Sequence, residues 1–85
     1  MKYSWVIFFN HTEASPRAGE REVKYILHTH KEAEEYFRRK LRAYEGFPYG
    51  TISMEKFSRK DYPTRLDDRD EFKRDLAESL RGRSI

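Results

Sequence analysis

The stretch KYSWVIFFN, residues 2–10, decides the fold of this chain. In a β-strand, successive side chains point to opposite faces, and here both faces are apolar. A strand of this kind is typical of the middle of a sheet that is covered on both sides. The sequence therefore predicts a central strand, with Trp5, Ile7 and Phe9 on one face beside Tyr3, and Val6 and Phe8 on the other beside Ser4.

Two other runs predict further strands. In EVKYILHT, residues 22–29, the alternation places Val23, Tyr25 and Leu27 on the inner face and Glu22, Lys24 and Ile26 on the other. The run GTISMEKFS, residues 50–58, predicts a third strand with Ile52 and Met54 inward. The intervening residues 10–21 contain proline and glycine, and they predict a long surface loop.

A first helix is predicted from about His30 to Glu45. THKE, residues 29–32, fits the capping box, in which the Thr29 side chain accepts from one free amide and the glutamate returns to another. Gly46 suits the left-handed conformation that ends a helix, and Phe47 is expected to fold back toward Leu41. The predicted core stripe contains Ala33, Phe37, Leu41 and Tyr44.

A second helix is predicted from Asp67 or Asp68 to about Arg81, with Gly82 after its end. The element order is then β-β-α-β-α. If the crossover through the first helix has the usual right hand and passes over the first strand, the sheet order is 2-1-3. We therefore expect an α+β fold in one small domain, residues 1–85, with the first helix on one face of the sheet and a C-terminal helix.

Composition excludes several classes of protein. The chain contains no cysteine, which excludes disulfide frameworks, thiolate zinc sites and cysteine nucleophiles. It has 18 basic and 15 acidic residues and 15% aromatic residues, which argues against both a disordered tail and a densely basic protein. No apolar run reaches the roughly 20 residues of a membrane span. We expect a cytoplasmic protein without a membrane partner.

Catalytic motifs are incomplete. His28 and His30 could share a metal with His11 or Glu32, but exposed histidines around a helix cap are the simpler interpretation. Residues 22–24 echo the E-x-K of metal-dependent nucleases, yet no aspartate occurs before Asp61 to complete such a site. The sequence predicts no enzyme, no cofactor and no bound metal.

The run EEYFRRKLRAYEGFPYGT, residues 34–51, mixes aromatic and basic side chains. One interpretation is a solvated helix face with Glu34–Arg38 and Glu35–Arg39 ion pairs. The other is a phosphate-facing patch of Arg38, Arg39, Lys40 and Arg42 with Tyr36 or Tyr49 beside it. A second basic cluster lies past the third strand and consists of Lys56, Arg59, Lys60 and Arg65. The two clusters are expected at opposite ends of the sheet. The candidate interaction residues are Tyr36, Arg38, Arg39, Arg42, Tyr49, Lys56, Arg59 and Lys60.

The layout has a known parallel. A long hairpin, T-x-x-E-A at Thr29–Ala33 entering a helix, and a returning strand YGTISME at Tyr49–Glu55 resemble several small phage-encoded inhibitors. These include some anti-CRISPR proteins and the phage inhibitor of bacterial RNA polymerase, and the resemblance covers residues 1–57. It implies a non-enzymatic protein that occupies a charged surface of a host nucleoprotein complex, in the bacterial cytoplasm if phage-encoded.

Two functions follow from the sequence as hypotheses. The first is an interaction module, an inhibitor or modulator of a host protein or nucleoprotein complex, that uses the long loop, the charged helix face and the second helix. The alternative is direct DNA or RNA binding through the basic residues of the first helix and of the segment after the third strand. The oligomeric state is left open, and a dimer is possible.

Overall fold

The computed structural model describes residues 1–68. Three strands form one sheet in the order β2-β1-β3, with one helix between the second and third strands, as the sequence predicted. The predicted C-terminal helix, running to about Arg81, lies outside the described residues. The elements are β1 (Tyr3–His11), β2 (Arg21–Leu27), α1 (His30–Ala43) and β3 (Gly50–Ser58).

Strand β1 is the central strand, as its two apolar faces predicted. It pairs antiparallel with β2 on one edge and antiparallel with β3 on the other. The pairing with β3 is continuous from Tyr3 opposite Ser58 to His11 opposite Gly50. Val6 and Ile7, which point to opposite faces, are both fully buried. The sheet is therefore covered on both sides of β1.

Helix α1 covers the face that carries Ile7 and Phe9. Ala33 is the fully buried residue of α1. Phe37 and Tyr44 are partly buried and pack against the core cluster that contains Ile7, Phe9 and Ala33. The prediction of Leu41 in this core stripe is wrong, because its side chain is 45% exposed. With 3.6 residues per turn, Leu41 falls at the edge of the stripe centred on Ala33, and Tyr36 packs against the core from the other edge.

The opposite face of the sheet is crossed by the segment that follows β3. The hydroxyl of Ser4 donates to the carbonyl of Tyr62 at 2.7 Å. The Tyr62 ring lies on Phe57, with centroids 4.8 Å apart. Leu66 then exchanges two backbone hydrogen bonds with Ile26 on the outer edge of β2, at 2.8 and 3.0 Å. The connection after β3 thus helps to cover one face and to protect one edge.

Strand β2 contains a β-bulge. Ile7 lies opposite Tyr25, but the next residue of β1, Phe8, lies opposite Val23, so Lys24 has no partner on β1. The predicted alternation is therefore wrong on the N-terminal side of Tyr25. A single extra residue shifts every preceding side chain to the other face. Val23 now shares the face of Phe8 rather than that of Tyr25.

Both ends of α1 have the predicted capping residues. The Thr29 side chain accepts from the amide of Glu32 at 3.3 Å. The predicted return of the Glu32 side chain to a free amide is wrong, because its carboxylate pairs instead with the guanidinium of Arg65 at 2.5 Å. This ion pair joins the helix start to the segment after β3. Gly46 has a φ of 76°, the left-handed conformation expected of it, although the helix ends at Ala43, two residues earlier than predicted.

Gly50, the first residue of β3, packs closely on the core. A Cβ added at Gly50 would overlap the ring of Phe9, which is itself buried. We expect Gly50→Ala to lower the free energy of unfolding by about 1–3 kcal/mol in urea denaturation, as for other overpacked sites. Thr51→Ala, at the exposed neighbouring position, is the control, with an expected loss of about 1 kcal/mol or less. Equal losses in the two variants would contradict this packing.

Candidate functional site

The outer face of α1 carries three of the predicted basic residues together. Arg38, Arg39 and Arg42 line one open cavity of about 370 Å³ with Glu35. These positions share a side of the helix because residues three and four apart are neighbours on its surface. The structure thus groups the three arginines, whereas Lys40, predicted in the same patch, lies on the other side of the helix against Tyr25.

Their charges are unequally compensated. Arg38 pairs with Glu34 at 2.6 Å, which confirms that predicted ion pair. Arg39 pairs with Asp68 at 2.6 Å rather than with the predicted Glu35. Arg42 makes no ion pair with any residue of the range 1–68. It is therefore the arginine of this face whose charge is directly available to a partner.

The two candidate tyrosines lie in different environments. Tyr36 is half-buried, with its ring on Tyr25 at a centroid distance of 5.1 Å and the Arg39 guanidinium 4.5 Å above it. Tyr49 is 48% exposed, and its ring contacts that of Phe47, with centroids 5.4 Å apart. Tyr36 is therefore mainly a packing residue, whereas Tyr49 presents a ring to solvent.

Exposed apolar side chains collect where α1 ends and β3 begins. We call Leu41, Phe47 and Tyr49 the apolar rim; they are 45%, 41% and 48% exposed. The inner edge of Phe47 packs on Tyr44 and Phe9, with centroids 5.4 and 6.2 Å away. The sequence interpretation assigned Leu41 to the core and Phe47 to the helix cap. The short run Phe47-Pro48-Tyr49 after Gly46 was the available signal for this surface.

The backbone under the rim is attached to the loop between β1 and β2. The amide of Thr12 donates to the carbonyl of Tyr49 at 3.1 Å, and its hydroxyl donates to that of Pro48 at 2.5 Å. The loop has its own internal bonds, including a 2.7 Å contact between His11 Nδ1 and the Ser15 hydroxyl. The predicted long loop is thus a hydrogen-bonded support for the rim.

Of the second basic cluster, Lys56, Arg59 and Lys60 lie at the C-terminal end of β3, whereas Arg65 pairs with Glu32 of α1. The ammonium of Lys56 lies 4.3 Å above the ring of Tyr3. The Arg59 guanidinium donates to the carbonyl of Tyr3 at 3.2 and 3.0 Å and to that of His28 at 2.9 Å. Lys60 is exposed and lines a separate cavity of about 460 Å³. The Arg59 guanidinium is therefore occupied by hydrogen bonds to backbone carbonyls.

The histidines do not converge on a metal site in the part of the chain that the structure describes. No group of three or more histidine, aspartate or glutamate side chains is placed to hold a metal ion within residues 1–68. His30 packs on Trp5, with ring centroids 5.8 Å apart. His28 lies beside Arg59 and Arg65, and its Nε2 is buried without a hydrogen-bond partner.

Comparison with known proteins gives no match to a family model, a curated protein or a solved structure. Among residues 1–68, no helix has the length and apolar character needed to cross a membrane.

Arg59 provides a test of structural against surface roles. We expect Arg59→Ala to lower the free energy of unfolding by about 2–3 kcal/mol, because it leaves the carbonyls of Tyr3 and His28 without a charged donor. Urea denaturation measures the change. The adjacent, exposed Lys60→Ala should change it by about 0.5 kcal/mol or less. If the two variants unfold alike, Arg59 does not hold these strand ends together.

His28 should make stability dependent on pH. Burial disfavours its charged form, and the cations Arg59 and Arg65 disfavour it further, so its pKa lies below the ordinary value of 6.5 despite the opposing Glu32. Below pH 6.5 the unfolded chain takes up this proton before the folded chain does, so stability falls as pH drops toward the folded pKa.

The His28→Gln variant should lose this part of the pH dependence. The measurement is the free energy of unfolding from about pH 5 to 8, the interval in which histidine titrates. His30→Gln, at the neighbouring exposed histidine, should keep the wild-type slope. A slope unchanged in His28→Gln would show that His28 is not its source.

Proposed function

We propose that this chain is a non-enzymatic interaction protein that binds a protein partner through the apolar rim and the adjacent Arg42. The observation that carries the proposal is the exposure of Leu41, Phe47 and Tyr49 at one end of the molecule. Among residues 1–68, the other exposed large apolar side chains are Val23 on β2 and Met1, which precedes β1.

The residue types of this surface suit a protein partner. Aromatic residues and arginine are enriched at protein interfaces, and truncation of a few of them commonly removes most of the binding energy. The rim supplies two aromatic rings, and Arg42 supplies a cation without an acidic neighbour in ion-pair contact within residues 1–68. The partner surface that fits is an apolar pocket bordered by carboxylates.

The pairing of charges favours this function over phosphate binding. Strong polyanion binding depends on several cations that can each neutralise a phosphate. Of the three arginines on the outer face of α1, Arg38 and Arg39 are already paired with acids. Occupation of an acidic surface on a host protein or nucleoprotein complex would block or modulate it, which is the inhibitory role that the architectural resemblance implies.

Direct DNA or RNA binding is the second candidate function. The observation in its favour is that Arg38, Arg39 and Arg42 line one cavity. Surface ion pairs are weak, each worth about 0–1 kcal/mol, so phosphates could displace Glu34 and Asp68. Lys60 of the second basic cluster lines a different cavity from these arginines, so the two clusters would bind separately.

The rim can be tested by affinity capture from a host lysate, with quantitative mass spectrometry of what is retained. We expect Tyr49→Ala and Leu41→Ala each to reduce recovery of the specific partner about tenfold or more, as loss of a central contact worth about 1.4 kcal/mol would do. Val23→Ala, a truncation of an exposed apolar residue elsewhere, is the matched control and should retain the partner.

Two outcomes would contradict the protein-binding proposal. One is equal recovery with the rim variants and the Val23 control. The other is fluorescence anisotropy that shows binding to generic DNA or RNA, weakening with salt by a power of about 0.7–0.9 for each phosphate contacted, together with reduced binding by Arg42→Gln. That second result would establish the nucleic-acid alternative. Absence of binding at low salt would eliminate it.

A further inference from the structure

The β-bulge brings Lys24 to the α1 side of the sheet. Regular alternation would place Lys24 and Tyr25 on different faces of the sheet, but the extra residue in β2 breaks the alternation at this point. The Lys24 ammonium lies 5.7 Å from the ring centroid of Phe9, a core residue on the α1 side. Bulges commonly re-aim a side chain and occur often beside functional sites.

A second lysine approaches from the helix. Lys40 follows Ala33 by seven residues, which is nearly two helical turns, so it lies on the same sheet-facing stripe as the buried alanine. Its ammonium lies 5.2 Å from the ring centroid of Tyr25. A lysine at this position is unusual, because the sheet-facing stripe of an amphipathic helix is normally apolar.

The two lysines line the same small pocket. It has a volume of about 180 Å³ and is bounded by Lys24, Tyr25, Lys40 and Tyr44. Both lysines are half-buried, and neither forms an ion pair with an acidic residue of the range 1–68. The aromatic rings attract the ammonium groups but carry no net charge. The pocket therefore concentrates two positive charges that no described carboxylate neutralises.

We propose that this pocket binds a single phosphate group, either free phosphate or the phosphate of a small phosphomonoester. The ammonium groups of Lys24 and Lys40, which line the same pocket, supply the charge and the hydrogen-bond donors that a phosphate requires. The small volume limits the site to one such group and excludes a nucleic-acid backbone from entering it. This site is separate from the rim and does not depend on the proposed protein partner.

The first experiment titrates the wild-type protein with inorganic phosphate at constant ionic strength, with chloride as the exchanged anion. Backbone amide NMR shifts should change saturably at Lys24, Tyr25, Lys40 and Tyr44. The melting temperature should rise with phosphate, since a ligand that binds only the folded state stabilises it. Shifts that fail to saturate, or that occur only elsewhere, such as around Lys60, would overturn the proposal.

The second experiment compares variants by the same titration. Lys24→Gln and Lys40→Gln should each weaken phosphate binding at least about tenfold, because each removes one of two ligating charges. Lys24→Arg should retain binding, since it keeps the charge. Lys31→Gln is the matched control on the exposed first turn of α1 and should bind as wild type does. If Lys31→Gln weakens phosphate binding as much as Lys40→Gln does, the binding depends only on the overall surface charge. That result would refute a defined site.

Phenyl phosphate serves as the organic probe. Tighter binding of phenyl phosphate than of inorganic phosphate would identify a phosphomonoester as the ligand class, whereas equal or weaker binding would identify free phosphate. If neither compound binds, the proposal fails.

Discussion

Strand β1 must be hydrogen-bonded on both edges and covered on both faces, and the rest of the structure depends on this requirement. Its backbone pairs with β2 and with β3 along its length. Helix α1 covers the face of Ile7 and Phe9, while the segment after β3 bonds to Ser4 on the other face. Burial of these large side chains is the main favourable contribution to folding. The positions of the polar loops, the helix and the rim follow from the pairing of both edges of β1 and the covering of both its faces.

The sequence was sufficient for the three strands, for the first helix and for the order of the strands in the sheet. The two-sided apolar pattern of residues 2–10 identified the central strand, and Thr29 and Gly46 marked the helix ends. These are local signals, in which a residue's own conformation or its near neighbours determine the result. Sheet order 2-1-3 then followed from the chain connection.

Features that depend on long-range contacts were not predictable in this way. The bulge at Lys24 is a property of the pairing with β1, and an alternating sequence does not show that one residue is unpaired. Leu41 and Tyr36 lie at the two edges of the helical stripe, where small rotations of the helix decide burial. Arg59 looked like one of several surface cations, although its hydrogen bonds join distant parts of the chain. The site residues are therefore the least predictable part of this protein.

The two proposed binding regions are separate but are connected through one residue of the pocket. Tyr44 lines the lysine pocket and also packs against Phe47 of the rim. An anion in the pocket would contact the same ring that supports the rim from below. Charge within residues 1–68 is thus used in two ways: most of the arginines in this range pair with acidic side chains, whereas Lys24 and Lys40 contact aromatic rings.

The hydrogen bonds of Arg59 connect segments that are far apart in the sequence. One guanidinium joins residue 59 to carbonyls that lie 56 and 31 residues away in sequence, at the start of β1 and just after β2. In a small domain such distant segments are often tied by a disulfide. This chain has no cysteine, and hydrogen bonds from a guanidinium form without any oxidation step. These hydrogen bonds therefore do not depend on the redox state of the surroundings, and they form again each time the chain folds.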